Sequence, residues 1–351
     1  MSRTSGTSEA LLPAPEPSLS ANVYCAGRLD EVIYRGVAPF WQEERAATPE
    51  RIYLRLLRYV RGGDHLKIRI HAPESLVARL RPSLEAAIRP CLDALAPAAP
   101  GEGRPVAQVP PIDVEDETEG GHPDRSFVWT QYRRSYVEFG GKPLIDDDDY
   151  IAHVVACQAE CSERTLAALK PDATGVVPFR VRQNTLIKAA LSAVAAMPWS
   201  AEQRRGYFAY HRDWLMRYSF SQSNRGPDKA AEAVAKLEAN IARLGAGLEA
   251  YRKAAEAQWG EAAPPGDETD AAFREALQAL CRFVAPFAGK PELQVDPFAA
   301  EPMFSALFKV LHALGNQLGL KLADESFAHH LLLRIAGAEA GHAFTHDPPS
   351  P

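Results

Sequence analysis

The feature of the sequence that most constrains its fold is a pair of segments joined by a glycine-rich turn. Arg51–Val60 is rich in Ile, Leu, Tyr and Val, and Arg61–Asp64 reads Arg-Gly-Gly-Asp, which favours a turn. His65–His71 then alternates between aliphatic and basic residues, so Lys67 and Arg69 would project from the face opposite the aliphatic ones. This pattern predicts an antiparallel β-hairpin with one apolar and one charged face.

Helical periodicity dominates the chain after about residue 140, whereas the strand patterns lie before it. The stretch Asp228–Gln258 predicts one long helix, with only Gly245 and Gly247 interrupting it. An earlier helix over 73–95 is expected to break near Pro82 or Pro90. The predicted class is therefore α+β, with an N-terminal mixed or antiparallel sheet and flanking helices, followed by a mostly helical C-terminal half.

Composition also divides the chain. Residues 1–20 are rich in Ser, Pro and Ala and have no apolar stretch of the signal-peptide kind, so we expect a disordered leader. Residues 96–124 combine a Pro-, Ala- and Gly-rich run with an acidic run, which indicates a loop insertion. The remaining expectation is one domain over 21–337 and a flexible tail over 338–351.

Overall composition excludes several classes of protein. The 351 residues are 46% hydrophobic and carry a formal net charge of −6, so a sizeable core is possible and a general attraction to nucleic acid or anionic lipid is not expected. The sequence does not contain an uninterrupted apolar stretch of about 18 residues, so we predict no membrane span. The five scattered cysteines indicate free thiols in a reducing cytoplasm.

Motifs that bind cofactors or metals are not evident. The chain has neither a phosphate-binding loop nor a dinucleotide-binding glycine motif after a strand. Cys157 and Cys161 are spaced i, i+4 but lack a second pair at zinc spacing. Asp146–Asp149 fits either a Mg²⁺ site or the solvated start of a helix. We therefore predict no cofactor and no metal.

Three segments, in order, carry a resemblance to a known family. They are Tyr53–Ile70 with its aromatic strand, turn and His-Leu-Lys-Ile-Arg strand, Tyr132–Tyr150 with Phe-Gly-Gly, and Leu311–Gly319 with His-x-x-x-Asn. Together they resemble the thiopeptide-type bacteriocin biosynthesis domain, which is the C-terminal elimination module of lantibiotic dehydratases. The resemblance extends over roughly residues 21–337.

The resemblance implies that the protein modifies a ribosomally made precursor peptide. The first hypothesis is a lyase-type reaction that eliminates glutamate from glutamylated Ser or Thr, beside a stand-alone glutamylating dehydratase. The second is the aza-cycloaddition of thiopeptide pyridine synthases, which belong to the same family. The third is a non-catalytic subunit that binds the leader peptide. The expected partners are the leader and core of the precursor, and a homodimer is possible.

The resemblance also implies site residues. The predicted catalytic residues are His312, Arg69 and Lys67, and the predicted substrate-binding residues are Arg28, Asp64, His65 and Asn316. If the protein is an eliminase, Arg28, Lys67, Arg69 and His312 should converge on one pocket. Arg suits carboxylates and His suits proton transfer near neutral pH.

The residue patterns alone leave alternatives for each candidate. Lys67 and Arg69 fit either an anion site or a solvated strand face. Asp64 fits either a turn or a partner of His65 or Lys67. His312 fits either proton transfer or a core position, and Arg28 either an anion site or the surface of a helix start.

Two positions depart from the family pattern. Lys67 stands where the family has the first arginine of its strand motif, and Gln317 stands where the family has an arginine after the asparagine. Both changes are expected to weaken the recognition of glutamate, because each removes a guanidinium that can bind a carboxylate with two hydrogen bonds.

Overall fold

The computed structural model describes residues 19–50, 52–59, 64–95, 122–130, 148–171, 177–221, 228–259, 268–287 and 302–337. The strands are β1 Leu19–Tyr24, β2 Tyr53–Tyr59, β3 His65–His71 and β4 Ser126–Trp129. The helices are α1 Leu29–Val32, α2 Ala38–Ala47, α3 Glu74–Ala94, α4 Asp148–Ala168, α5 Phe179–Ala195, α6 Ala201–Ser221, α7 Asp228–Ala242, α8 Ala246–Trp259, α9 Glu268–Val284, α10 Pro302–Gln317 and α11 Leu322–Ile335. The predicted α+β class is confirmed.

The four strands form one antiparallel sheet in the order β2-β3-β1-β4. The predicted hairpin is confirmed, because β2 pairs with β3 from Tyr53 opposite His71 to Tyr59 opposite His65. The turn predicted between them over 61–64 lies outside the described residues except for Asp64. β1 begins at Leu19, two residues earlier than the predicted domain start.

Period-two alternation divides the sheet into two faces. Leu66, Ile68 and Ile70 of β3 lie on the apolar face and are completely or almost completely buried. Trp129 of β4 lies on the same face, and its indole N–H donates to Glu85 of α3 at 2.8 Å. Helix α3 therefore packs on the apolar face and leaves the opposite, polar face for the rest of the fold.

The exposed edge of β2 is closed by side chains of two helices. The Leu56 N–H donates to Ser162 Oγ of α4 at 3.1 Å. The Arg58 N–H donates to Asn316 Oδ1 at 2.8 Å, and the Asn316 amide donates to the Arg58 carbonyl at 2.9 Å. These side chains satisfy backbone groups that an edge strand otherwise leaves open to pairing with another chain.

One carboxylate joins the sheet to the helical half. Asp30 of α1 forms ion pairs with Arg58 of β2 and with Arg182 of α5. The same two guanidiniums donate to the carbonyls at the end of α10, Arg58 to Gln317 at 2.8 Å and Arg182 to Leu318 at 2.7 Å. Burial raises the pKa of Asp30, but its two arginine partners more than offset that effect and hold the pKa below its usual range.

Two predictions about helices were wrong. The long helix expected over Asp228–Gln258 is divided into α7 and α8, and Gly245 between them has a φ of +50°, in the left-handed region that ends helices. The break expected in α3 does not occur, since the helix continues through Pro82 and Pro90 while it buries an apolar stripe. In α3, tertiary burial outweighs the lost backbone hydrogen bonds.

The described cysteines are all free thiols, as predicted, and four of the five are buried. None of the helices in the described part of the chain is long and apolar enough to cross a bilayer. The predictions of a disordered leader, a loop insertion and a flexible tail fall almost entirely on residues outside the described ranges.

Candidate functional site

The polar face of the sheet is cationic and buried. Arg55, Lys67 and Arg69 lie on it with exposed fractions of 0%, 5% and 2%, and Arg55 stands directly opposite Arg69 in the β2–β3 register. The interpretation of Lys67 and Arg69 as a solvated strand face is therefore excluded. Burying several positive charges is costly unless anions or hydrogen-bond acceptors offset them.

Aromatic rings line the same face. The His65 ring lies 4.6 Å from the Tyr24 ring and 5.4 Å from the Tyr59 ring, and the Lys67 ammonium lies 4.1 Å above the Tyr59 ring. Arg69 donates to the Ala21 carbonyl at 3.3 Å. These contacts fix the direction of the basic side chains.

Sequence reasoning missed Arg55. The signal was available, because the alternation of β2 places Tyr53, Arg55 and Tyr59 on one face, and pairing with His65–His71 puts that face beside Lys67 and Arg69. Arg55 also supplies a second guanidinium beside Arg69. Although position 67 is a lysine, this face still carries two guanidiniums, those of Arg55 and Arg69.

Asp64 and Arg28 lie at the end of the sheet remote from Arg69. The Asp64 carbonyl accepts a hydrogen bond from the Cys25 N–H at 3.2 Å. Arg28 binds Glu31 at 2.7 Å, within the first turn that follows it. His65 and Arg69 are four residue steps apart along β3, a distance of roughly 13 Å in an extended strand.

His312 of α10 belongs to a second polar cluster, built by helices. Its Nδ1 lies 2.8 Å from Oε2 of Glu325 in α11, and its side chain is 27% exposed whereas that of Glu325 is 2% exposed. When Glu325 is ionised its carboxylate can only accept, so Nδ1 carries the proton and Nε2 is left with a lone pair in the neutral ring. Nε2 forms no hydrogen bond within the described part of the protein.

The electrostatics of this pair follow from burial and pairing. Burial alone lowers the pKa of His312, but the charge of Glu325 and its hydrogen bond more than offset this and raise the pKa above its usual value. Burial raises the pKa of Glu325, and the partial compensation by His312 leaves it raised. The two groups thus compete for one proton across a short hydrogen bond.

Further imidazoles lie behind His312. His211 of α6 and His329 of α11 stack with 3.4 Å between ring centroids, and both are fully buried. The His329 Nδ1 donates to the Glu325 carbonyl at 3.0 Å, and Tyr207 hydrogen-bonds His211 at 2.9 Å. Burial lowers the pKa of His329 to about 4 and that of His211 well below its usual value, so both rings are neutral.

Asn316 and Gln317, which follow His312 on α10, serve the packing of that helix. Both polar groups of the Asn316 amide bind the Arg58 backbone. Gln317 is fully buried, accepts from the Thr165 hydroxyl at 3.3 Å and donates to the Gln158 carbonyl at 3.4 Å. Gln317 therefore belongs to the α4–α10 contact, and its identity does not measure the recognition of glutamate.

The structure thus distributes the predicted site residues between two clusters. Lys67, Arg69 and His65 share the cationic face, and His312 lies in the helical cluster. The contacts of His312 go to α6, α10 and α11, and within the described ranges none of them reaches Lys67, Arg69 or Arg28.

Neither cluster resembles a metal centre. Among the described residues, no group of three or more His, Cys, Asp or Glu side chains is arranged to hold a metal ion. Asp148 and Asp149 begin α4, where acidic residues complement the helix dipole. A cleft of about 530 Å³ lies between α5, α7 and α11, with Phe179, Leu237 and Phe327 in its wall, and none of the predicted residues lines it.

Several solved structures have a fold similar to that of this chain. The pyridine synthase TbtD from thiomuracin biosynthesis has a similar fold, with a TM-score of 0.62 and 17% identity over 92% of this chain and 98% of that chain. TsrL is similar with a TM-score of 0.50 and 14% identity over 90% of this chain and 93% of that chain. The tRNA-dependent lantibiotic dehydratase MibB from Microbispora sp. 107891 has a TM-score of 0.48 and 16% identity over 95% of this chain and 28% of that chain.

At these identities the likeness concerns the fold alone. No curated protein matches the sequence. The family described as "Lantibiotic biosynthesis dehydratase C-term" matches residues 19–336, nearly the whole of the described chain, and the protein therefore belongs to that family.

Proposed function

We propose that the protein is a lyase that eliminates glutamate from glutamylated Ser or Thr residues of a precursor peptide, leaving dehydroamino acids. The observation that carries the proposal is the His312–Glu325 pair, in which a partly exposed imidazole is held at Nδ1 by a buried carboxylate. Such an imidazole has the geometry of a general base, with a directed Nε2 lone pair and a raised pKa.

The reaction requires one base and a place for the leaving group. The Nε2 atom of His312 would take the proton from Cα of the modified residue, the Cα–H electrons would form the Cα=Cβ bond, and the Cβ–O bond would break. Glutamate would then leave as a carboxylate, and the proton would remain on His312. Glu325 stabilises the imidazolium that forms.

The cationic face supports the same proposal. Arg55, Lys67 and Arg69 offer positive charge for the carboxylates of glutamate, and the guanidiniums match carboxylate geometry. The proposal requires the reacting residue to lie between the two clusters, so that His312 reaches its Cα–H while its glutamyl group extends to the cationic face. Arg28, Asp64 and His65 would extend the binding surface at the other end of the sheet.

The wider setting is also a proposal. Residues 21–337 would act as one elimination domain in the cytoplasm, where free cysteines persist. A separate dehydratase would supply the glutamylated precursor, and neither a metal nor an organic cofactor is needed for the step. A homodimer is compatible with this arrangement.

The direct test is mass spectrometry of a glutamylated precursor peptide incubated with the protein. Loss of one glutamate for each modified Ser or Thr is the expected result. An unchanged mass, with the peptide bound, would instead favour a subunit that only presents the leader peptide.

Lys67 favours a second candidate, the cycloaddition that forms a pyridine ring. An ammonium binds carboxylates with less directional preference than a guanidinium, and cycloaddition needs glutamate-binding cations less than elimination does. Arg55 weakens this argument, since it restores a second guanidinium to the face. A peptide that already contains two dehydroalanines separates the candidates. Cyclisation with release of the leader would support the second candidate, and an unreacted peptide would exclude it.

A further inference from the structure

The close approach of helices α10 and α11 depends on one glycine. A Cβ atom added to Gly315 would lie 2.5 Å from Cδ and 2.8 Å from Cγ of Glu325. Carbon atoms do not approach so closely, so any side chain at position 315 would force Glu325 to move. Gly315 lies one helical turn after His312. The Glu325 side chain, which binds His312, occupies the space that a side chain at position 315 would need.

Glu325 has no compensating cation other than His312 in the described structure. Its side chain is 2% exposed, and its carboxylate lies 2.8 Å from the His312 Nδ1. Its carbonyl accepts from His329, so the residue is fixed from both its backbone and its side chain. A buried carboxylate with a single imidazole partner is costly to retain for packing alone.

We infer that Glu325 is the positioning residue of His312, and that Gly315 is the position that admits it. Glu325 fixes the ring direction and the tautomer that leaves the Nε2 lone pair exposed, and it stabilises the protonated ring. This inference rests on the proposed function for its catalytic meaning, although the state of His312 can be measured without any substrate.

Other titratable groups face the pair from two helices. His211 of α6 and His329 of α11 lie beside His312, and both are kept neutral by burial. Asp324 of α11 acts on Glu325 and raises its pKa slightly. None of these groups pairs with His312 in place of Glu325. Removing the Glu325 charge should therefore change the pKa of His312 measurably.

The first test compares two substitutions, Glu325→Gln and Glu238→Gln. Glu238 binds His330 at 2.9 Å, so it forms a second glutamate–histidine pair in the same helix bundle and serves as the matched control. Long-range ¹H–¹⁵N spectra of the full-length protein with labelled histidines report the tautomer and pKa of His312, which is assigned with His312→Gln. Glu325→Gln should lower the pKa of His312 and reduce its Nδ1–H tautomer, and Glu238→Gln should change neither.

The second test uses the reaction. Glu325→Gln should lower kcat about tenfold or more with little change in KM, because it acts on the base and not on peptide binding. The rising limb of the rate–pH profile should move to lower pH, in the direction of the lowered pKa. Glu325→Asp should recover part of the rate if the charge, and not only the shape, is required.

A third test uses two glycines. Gly315→Ala should displace Glu325 and reproduce the changed His312 spectrum, whereas Gly206→Ala, whose new Cβ would meet Phe304 at 3.6 Å, should leave the spectrum unchanged. An unchanged His312 tautomer and pKa in Glu325→Gln would overturn the inference. Wild-type protein that does not release glutamate would overturn the proposed function, and the spectra would still decide the role of Glu325.

Discussion

The protein contains two histidine–glutamate pairs whose hydrogen bonds have almost the same length and whose burial is reversed. In the His312–Glu325 pair, the histidine is 27% exposed and the glutamate 2% exposed. In the His330–Glu238 pair, the histidine is 0% exposed and the glutamate 29% exposed. The N–O distances are 2.8 and 2.9 Å.

The reversal changes what each histidine can do. Burial lowers the pKa of His330, Arg212 lowers it further, and the exposed Glu238 does not compensate. Glu325 does compensate for the burial of His312, whose pKa is raised. A hydrogen bond to glutamate therefore does not by itself raise the pKa of a histidine. In these two pairs the pKa is raised only where the glutamate is the buried member.

The largest expected effect tests this difference through activity. His312→Gln should lower the rate of glutamate elimination about 10²- to 10⁴-fold, the usual contribution of a general base. Mass spectrometry of a glutamylated peptide over time gives the rate. His330→Gln is the matched variant and should retain the wild-type rate per folded molecule, because its ring is buried. Equal losses in both variants would abolish the distinction between the pairs.

The next effect tests the buried imidazoles through stability. Burial lowers the pKa of His329 to about 4, so the unfolded chain binds protons more readily below its ordinary value of 6.5. The contribution of His329 to stability is therefore fully present above pH 6.5 and is lost as the pH falls toward 4. His329 alone should account for about 2 kcal/mol between pH 7.5 and pH 5.

Urea unfolding at the two pH values measures this change. His329→Gln should flatten the dependence of the unfolding free energy on pH. If His329→Gln left the pH dependence of the unfolding free energy unchanged, His329 could not be a neutral buried ring.

A smaller effect concerns the attachment of α10 to the sheet. Asn316→Ala removes the partner of both Arg58 backbone groups, so we expect a loss of about 1–3 kcal/mol of stability. Denaturant unfolding measures the loss. Activity per folded molecule should fall much less than in His312→Gln. A loss of activity without a loss of stability would instead support the predicted substrate-binding role of Asn316.

The smallest effect belongs to the exposed member of the second pair. Glu238→Gln should change the unfolding free energy by less than about 1 kcal/mol, since a partly exposed carboxylate contributes little through its charge. Thermal or urea unfolding at neutral pH gives the value. A loss of several kcal/mol would mean that the exposure of Glu238 does not weaken its partnership with His330.

The local parts of this structure could be predicted from the sequence. Alternation in His65–His71 is sufficient to place Lys67 and Arg69 on one face, because the period of a strand is a property of neighbouring residues. It does not reveal that this face is buried, since burial depends on α4 and other elements distant in sequence. The position of Arg55 on this face could have been predicted from the same β2–β3 pairing. The apolar residues of β2 predict a strand but do not draw attention to its arginine.

The helical cluster could be predicted only in part. His312 was identified from a sequence motif, but its partner Glu325 lies on a separate helix, and their contact depends on the space above Gly315. Gln317 was expected to bear on glutamate and instead joins two helices. Spacing along one helix predicts which side chains share a face, but it does not predict what the next helix brings to them.

The closure of the β2 edge has a consequence for synthesis of the protein. Asn316, which covers the Arg58 backbone, is 258 residues further along the chain. At common rates of translation the ribosome would need roughly ten seconds or more to add these residues. During that interval the edge strand lacks its cover, so a chaperone that shields nascent chains should increase the yield of soluble protein more than one that acts after release.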